Sequence, residues 1–569
     1  MSLVSLYDAA SLWMTPSGAE DGKLFSQLPT DGSGDFTFSR GSNLAATRVG
    51  PTGLIEKGRE NLLPYSNAFT SGDWQDTGAS YFTSGQSGYD GTNDAWRFTT
   101  VNQGERFQIV SSVVTGKTGV HTLSAYFKKG TADGVRMRVD MSGTDANIYV
   151  NLLDGNIFNS VGDIAAKLTD IGGGWYRAEL TANWVNVLNI RIYPTNTTGN
   201  DAVGTIYIQS AQLEIGLAAT DYIESGATTG KAGLLENEPR LDYSGGATCP
   251  SLLLEPSRTN LVPFSEYWKG YFTIDTDVTI SVNVATSPEG VQNAGRLKYD
   301  LASRSMYKSA MGLTGEHSVS FWVKGDGSNI GKTFNLRLQG TSIDQNIPIT
   351  LTSDWVRVEA QTNGLNILEL NNRNSTTIDT GSLLLYGFQI EQASYPTSYI
   401  PNHSGGSVTR GIDECTGAGD ATTFNSAEGV LYFEGKVQAN PNFSPNSIGI
   451  SDGTDANRVS IIIYGNLENI RSNMNVGGVT QFDFNLTGYT QGQYYKIAVS
   501  YKANDCKIFI NGTKISIDTS ATMPSLGTFD RLNLDLGNGL YDFHGNAKQL
   551  LYFPTALTDS ECIALTKLD

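Results

Sequence analysis

Few side chains in this sequence are spaced for chemistry, and those that are stand far apart. Asp452-Gly-Thr-Asp455-Ala-Asn457 sets three oxygen-bearing side chains close together, the donor type that calcium takes. The stretch lacks a twelve-residue loop with a closing glutamate, so a hydrogen-bonded turn is the expected reading, and no metal or other cofactor is assigned. Asp452, Asp455 and Asn457 stay as weak metal candidates only. The four histidines, His121, His317, His403 and His544, stand in no HExxH pattern and beside no nucleophile motif. GxSxG, P-loop and strand-following GxGxxG patterns are also missing, so no catalytic residue is named and the chain reads as non-enzymatic. With 57 acidic residues, two carboxylates at glycosidase spacing will arise by chance, which leaves a glycan-cleaving reading open. Sugar binding has more specific candidates. Trp74 in SGDWQDTG and Tyr267-Trp268 in SEYWKGYF lie in loops among Asp, Gln and Lys. A sugar's C–H face is apolar and its rim polar, so a flat ring with polar neighbours matches it. The competing expectation for Trp74, Tyr267 and Trp268 is that they cover the mouth of a core.

The elements that would position such residues repeat along the first 400 positions. Asn61-Leu-Leu-Pro-Tyr-Ser66 returns as Asn260-Leu-Val-Pro-Phe-Ser265, and His121-Thr-Leu-Ser-Ala-Tyr-Phe-Lys128 as His317-Ser-Val-Ser-Phe-Trp-Val-Lys324. Trp175-Tyr-Arg-Ala-Glu179 returns as Trp355-Val-Arg-Val-Glu359, and Gln212-Leu-Glu214 with Asp221-Tyr-Ile223 as Gln389-Ile-Glu391 with Ser398-Tyr-Ile400. The offset falls from 199 residues to 196, then 180, then 177, which places shorter connections in the second copy. Leu123, Ala125 and Phe127 alternate with Thr122, Ser124 and Tyr126, the period of a strand with one face on a core. Equivalent starts for His121 and His317 point to structural roles. Many short strands between Gly, Asn and Asp turns predict an all-β protein of tandem β-sandwich or jelly-roll domains.

The predicted division is 1–60, an attachment or clasp segment; 61–225, the first jelly roll; 226–259, a linking clasp; 260–405, the second jelly roll; and 418–569, a third sandwich. In the last unit Ile508 and Ile510 precede an Asn511-Gly512 hairpin turn, and Thr558 with Glu561 forms a capping box before a short helix. Leu252-Leu-Leu-Glu255 is one short joining strand and Gly53-Leu-Ile-Glu56 its counterpart, with Arg48 and Arg258 available to pair with those carboxylates. Strands this short close no domain and are suited to pairing with a neighbouring sheet or another subunit. Deleting residues 1–40 is expected to leave a folded protein.

Composition limits the partners. Formal net charge is −18 with pI about 4.7, so phosphate backbones and anionic lipid surfaces are repelled and neither nucleic acid nor membrane is expected. The start MSLVSLYDAASLW lacks the basic and long apolar regions of a signal peptide, and no run approaches the roughly 18 apolar residues of a membrane span. Cys249, Cys415, Cys506 and Cys562 follow no metal or disulfide spacing, which predicts reduced and mostly buried thiols.

Several stretches resemble known families. YKIAVSYKANDCKIFINGTKI and LLYFPTALTDSECIAL resemble the concanavalin A-like, laminin G-type lectin sandwich. The WYR.EL strand and the Q.E.G....DYI closing strand are similar to carbohydrate-binding-module jelly rolls. LPTDGSGDFTFSRGSNLAATRVGPTGLIE and PRLDYSGGATCPSLLLEPSRTNLVPFSE are similar to segments of phage tail, fibre and other virion proteins. The first jelly roll lies between these two stretches and so looks inserted. The resemblance implies a structural protein of a bacteriophage particle, a tail fibre, head fibre or other appendage, assembled in the host cytoplasm and located in the virion. Implied partners are other virion proteins, further copies of the chain in a homo-oligomer (a trimer favoured), and glycans of the host cell surface. The alternative is a virion-associated glycan hydrolase or depolymerase carrying carbohydrate-binding modules.

Overall fold

The structure, a computed structural model, describes residues 6–41, 43–109, 114–340, 343–373, 380–438, 445–465, 469–490 and 492–568. It is an all-β protein. In the first jelly roll, alternation sends Leu123, Ala125, Phe127, Val135, Met137, Ile190 and Ile192 into one core between two sheets. One sheet runs, in spatial order, Ala165–Gly172, Trp175–Trp184, Gly119–Lys129, Gly204–Ile215, Ala95–Thr100, Tyr81–Gln86. The facing sheet runs Asn156–Val161, Ala146–Asn151, Gly134–Met141, Val187–Thr195, Phe107–Ile109, Trp74–Asp76.

The second jelly roll has the same order in both sheets. Val356–Leu365, Leu313–Gly325, Gly381–Glu391, Gln292–Tyr299 and Val278–Thr286 form one. Asp344–Thr350, Thr333–Gln339, Ile367–Asn371, Ser305–Lys308 and Thr273–Ile274 form the other. The extra strands of the first copy, Asn156–Val161 and Ala165–Gly172, each extend one sheet edge where the repeat offset drops from 196 to 180. The copies therefore differ by a pair of edge strands as well as by loops.

The repeated polar motifs close each sandwich. The Asn61 amide donates to the carbonyls of Ala211 and Ile223 at 3.2 and 2.9 Å, and Asn260 donates to Phe388 and Ile400 at the same two distances. Gln212 donates to Glu214 at 2.6 Å and Gln389 to Glu391 at 2.7 Å, each carboxylate also receiving the N–H of Thr220 or Thr397 at 2.8 Å. Buried polar groups need such partners, so the sequence signature of the repeat is an internal latch. His121 and His317 play the structural role expected of them, each with Nδ1 3.0 Å from a carbonyl two residues back.

The third unit is a sandwich whose larger sheet is built on Glu428–Val437, Tyr495–Lys502, Cys506–Ile510, Thr513–Asp518 and Gly545–Phe553. Asn511 and Gly512, both at positive φ, make the expected two-residue turn between Ile510 and Thr513. The capping box opens the helix Asp559–Thr566, with the Thr558 hydroxyl accepting from the Glu561 N–H.

The clasp segments complete this unit. Leu12–Met14 and Ser251–Leu254 both pair with Gly545–Phe553, Arg240–Asp242 lies beyond, and Phe36–Ser39 pairs with Glu414–Thr416. Leu12, Met14, Leu24, Phe36 and Phe38 belong to the same buried core as Leu431, Ile461 and Leu550. The joining strands thus find their neighbouring sheet inside their own chain. The expectation that a protein lacking residues 1–40 stays folded runs against this packing, because those residues fill the core of the C-terminal unit.

A buried ionic knot fastens the arrangement. Arg40, Arg240 and Arg410 meet Glu255 and Asp413, all with side chains at most 2% exposed. Arg40 reaches Asp413 at 3.0 Å, Arg240 and Arg410 reach Glu255 at 2.6 and 2.7 Å, and Arg240 also bonds Asp413. Arg48 does pair with Glu56, at 2.8 Å. Arg258 does not pair with Glu255; its guanidinium lies over the Tyr395 ring, because Arg240 and Arg410 already occupy that carboxylate.

Candidate functional site

Trp74 and Trp268 do not offer a ring to solvent. Trp74 is 6% exposed, packs 5.1 Å from Phe69, and its indole N–H donates to the Tyr65 carbonyl at 3.2 Å. Trp268 is 0% exposed in the second core, 6.0 Å from Phe388. Both rings plug the mouth of a sandwich, which satisfies their large apolar area without a ligand. Tyr267 is half-buried, edge-on to Phe264, and burial raises its hydroxyl pKa. Trp74 lies in a different domain from Tyr267 and Trp268, so the three form no common site. The Asp452 turn is also internally satisfied. Asp452 accepts from the Thr454 N–H and hydroxyl at 2.9 and 2.6 Å and from Asn457 at 2.7 Å. Asp455 is bonded to Arg458 and, at 2.7 Å, to Asn538. Among the described residues no group of three metal-ligating side chains is brought together.

A different surface carries the chemistry. In Gly134–Met141, Ala146–Asn151 and Val187–Thr195 the apolar residues point inward, so the period of two sends Arg136, Arg138, Tyr149, Arg191 and Tyr193 to the outer face of the sheet. Register sets Arg136 opposite both Tyr149 and Tyr193. Its guanidinium lies 4.0 Å from the Tyr193 ring centroid and 5.6 Å from that of Tyr149, while Asp201 anchors it at 3.0 Å. Arg106 approaches Tyr193 as well, at 5.6 Å. Phe158, on the extra edge strand, is 39% exposed and stands 5.9 Å from Tyr149. Tyr149 and Phe158 thus stand beside the guanidinium groups at the surface, while Tyr193, 4% exposed, lies under Arg136.

Polar atoms beside these groups lack partners. Asn147 and Asn189 are almost buried, yet their Oδ1 atoms accept no hydrogen bond, and Arg136 and Arg191 each keep an unbonded Nε. Asp140 fixes the remaining positions, bonded to Arg138 and 2.8 Å from Arg191.

The matching face of the second jelly roll is closed by its own side chains. Arg337 reaches Asp344 at 2.8 Å and Glu369 at 3.1 Å, Arg373 reaches Glu369 at 2.8 Å, and Pro348 stands where the first copy has Tyr149. Loop-centred reading of the sequence passed over Arg136, Tyr149 and Tyr193. The signal was present in Val-Arg-Met-Arg-Val and Arg-Ile-Tyr, where large polar or aromatic side chains fill the solvent-facing positions.

No family model matches the chain, and no curated protein does. Among solved structures, the Ruminococcus gnavus IT-sialidase CBM40 bound to α2,3-sialyllactose is 17% identical, with 26% of this chain and 93% of that one covered at TM-score 0.23. The CBM22-1–CBM22-2 tandem of Paenibacillus barcinonensis Xyn10C is 14% identical, covering 58% and 97%, TM-score 0.22. Domains LG4-5 of the mouse laminin α1 chain are 10% identical, covering 45% and 89%, TM-score 0.18. Identities this low leave function to be read from the chain's own residues.

Proposed function

We propose that the chain is a non-enzymatic structural protein of a bacteriophage particle, a fibre or other appendage, whose first jelly roll grips glycans of the host surface. The observation carrying the binding part is the half-buried Tyr149 ring beside the 39%-exposed Phe158 and the Arg136 guanidinium, with Arg191 on the same face. The Tyr149 and Phe158 rings match the C–H faces of sugars, and the guanidinium N–H groups match their hydroxyl oxygens. The particle assignment rests on the likeness of the joining stretches to virion proteins. Placement in the virion and a trimeric assembly belong to the same proposal. The clasp edges, which argued for an oligomer on sequence grounds, are covered within one chain, so the trimer now stands on that likeness and on the avidity that repeated weak sites gain.

A glycan array probed with the intact protein, alongside Tyr149→Ala and Phe158→Ala, tests the binding part. The wild type should bind a defined set of glycans, and each variant should lose about tenfold or more in affinity, some 1.4 kcal/mol. Unchanged binding in both variants would move the site elsewhere. Detection of the chain in purified particles, and a native mass of three chains, test the rest; a stable monomer removes the trimer.

A further inference from the structure

A cleft of about 450 Å³ opens where the second jelly roll, the clasp and the C-terminal sandwich meet. Trp322 and Arg357 line it from the jelly roll, Arg48 from the clasp, and Lys436, Tyr494 and Lys548 from the sandwich. None of these belongs to the face described above.

Comparison of the two copies shows what the jelly-roll wall can accept. Tyr126 occupies the position of Trp322, each paired across its sheet with the equivalent arginine, Arg177 or Arg357. In the first copy the loop 87–94 folds Tyr89 onto Tyr126, with ring centroids 3.7 Å apart and planes 7° apart. That position therefore takes a flat ring. In the second copy the corresponding loop, 287–291, is three residues shorter and carries Glu289, whose carboxylate is turned to Lys57 and Arg59. Trp322 is half-buried at the wall of the cleft, packed on a cluster of Ile55, Tyr386 and Tyr399. Its neighbours hold it in place. Arg357 lies 4.9 Å from the ring and donates to Ser320 Oγ at 3.0 Å and the Thr397 carbonyl at 2.6 Å.

The sandwich side of the cleft carries Lys436 and Lys548, and Asp242, Glu255 and Glu359 also line it. The Lys436 and Lys548 ammonium groups lie 5.1 and 4.1 Å from the Tyr494 ring centroid. Arg48 and Arg357 are committed to Glu56 and Glu359, at 2.8 and 3.1 Å. Among the described residues Lys548 has only Glu434, at 3.9 Å, and no carboxylate stands within 4.0 Å of Lys436. Two under-neutralised lysines on one wall are unexpected in a chain of net charge −18. They suit a ligand that brings its own negative charge.

We propose that this cleft is a second binding site, for an acidic oligosaccharide of the hexuronate type, with a pyranose face stacked on Trp322 and its carboxylate received by Lys436 and Lys548. Apolar stacking would supply contact area, and the charge-assisted bonds would supply selection for acid over neutral sugar. The site is independent of the first-jelly-roll face, and its failure is distinguishable from the failure of that reading.

Calorimetric titration of the full chain with oligogalacturonates, hyaluronan fragments and alginate oligomers, beside neutral galactan oligomers, tests this. Acidic oligomers of at least one kind should bind and neutral ones should not bind at this site. Lys436→Gln/Lys548→Gln changes only the outer wall and should weaken acid binding about tenfold or more, with a shallower salt dependence. Trp322→Ala should abolish it, and Trp322→Phe, which keeps a ring against Tyr386 and Tyr399, should retain part of it. Tyr149→Ala should leave it unchanged. The proposal is overturned by equal affinity for acidic and neutral oligomers, by acid binding that survives the lysine substitutions, or by no binding to any of the acidic probes. Acid binding lost in Tyr149→Ala but kept in Trp322→Ala would also overturn it, assigning the ligand to the other face.

Discussion

Replacing Asp413 with Asn keeps the shape of the buried knot and removes one of its two negative charges. In the native protein Asp413 binds Arg40 at 3.0 Å, bonds Arg240, and accepts the backbone N–H of Glu255 at 2.8 Å. The substitution leaves three guanidinium groups facing Glu255 alone, all of them out of water. Breaking a buried pair by removing one partner costs about 3–5 kcal/mol, mostly from the stranded charge. At roughly 2–4 °C per kcal/mol for a unit of this size, the melting transition of the clasped C-terminal sandwich should fall by roughly 6–20 °C. Asp344→Asn is the control, because its pair with Arg337 is 50% exposed on the acid's side and is screened by solvent, so its melting should stay close to wild type. Differential scanning calorimetry of both variants, with the jelly-roll transitions as internal references, reads the difference. There is also a pH arm. Arg410 and Arg240 hold the Glu255 carboxyl well below the usual carboxylate range despite its burial. A depressed folded pKa gives stability that is present above the unfolded value of 4.5 and is lost as pH falls through the folded value. Acid should therefore loosen this unit progressively below about pH 4.5. If Asp413→Asn melts within a degree or two of wild type, the claim that the knot fastens the clasp is wrong.

Deleting residues 1–40 should leave the C-terminal sandwich unable to fold, since Leu12, Met14, Leu24, Phe36 and Phe38 leave its core at about 1.5–3 kcal/mol each; loss of that unit's cooperative melting checks it. In the first jelly roll, burial lowers the His121 pKa from 6.5 to about 4, so the folded state keeps the ring neutral while the unfolded chain takes a proton. That contribution is intact above pH 6.5 and is lost as pH falls toward 4, and His121→Gln should flatten the dependence, read from urea midpoints across that range. Cys249 is exposed, while burial raises the Cys415, Cys506 and Cys562 thiols, the last two to about 11 and about 12. A thiol reagent at neutral pH should thus titrate one cysteine in the native protein and four after denaturation.

Strands were legible wherever the inward residues were uniformly apolar, as in Leu123, Ala125 and Phe127, and the duplication was legible because its motifs are internal latches repeated in order. The edge pair Asn156–Val161 and Ala165–Gly172 was not. Exposed edge strands bury little, so their alternation is weak, and the falling offset read equally well as a loop. The destination of the clasp was also hidden, since pairing of Leu12–Met14 with Gly545–Phe553 spans almost the whole chain and leaves no local trace. Trp74 and Trp268 misled because both were placed in exposed loops, whereas Trp74 opens the strand Trp74–Asp76, Trp268 opens a 3-10 turn, and each ring is buried in a sandwich core. Arg136, Tyr149 and Tyr193 lie on three strands and become one row only through register.

The duplication itself separates structure from use. What the two jelly rolls share is interior: the Asn61 and Asn260 amides on matching carbonyls, the Gln–Glu latch, and an arginine from the WYR or WVR strand donating to a serine and to the carbonyl of Thr220 or Thr397. The Asn amides and the Gln–Glu latch are buried, and losing either partner would cost the fold in both copies alike. What differs faces outward. On one sheet the first copy has Tyr149 and Arg136 where the second has Pro348 and Asn335, and the second neutralises Arg337 with Asp344 and Glu369. On the other sheet the relation reverses: the first copy covers Tyr126 with its own Tyr89, and the second leaves Trp322 at a cleft. A pair of sandwiches needed only as spacers would have no reason to open opposite faces. Each copy closes the face that the other leaves available, which is the pattern expected when one scaffold is used twice for two different ligands.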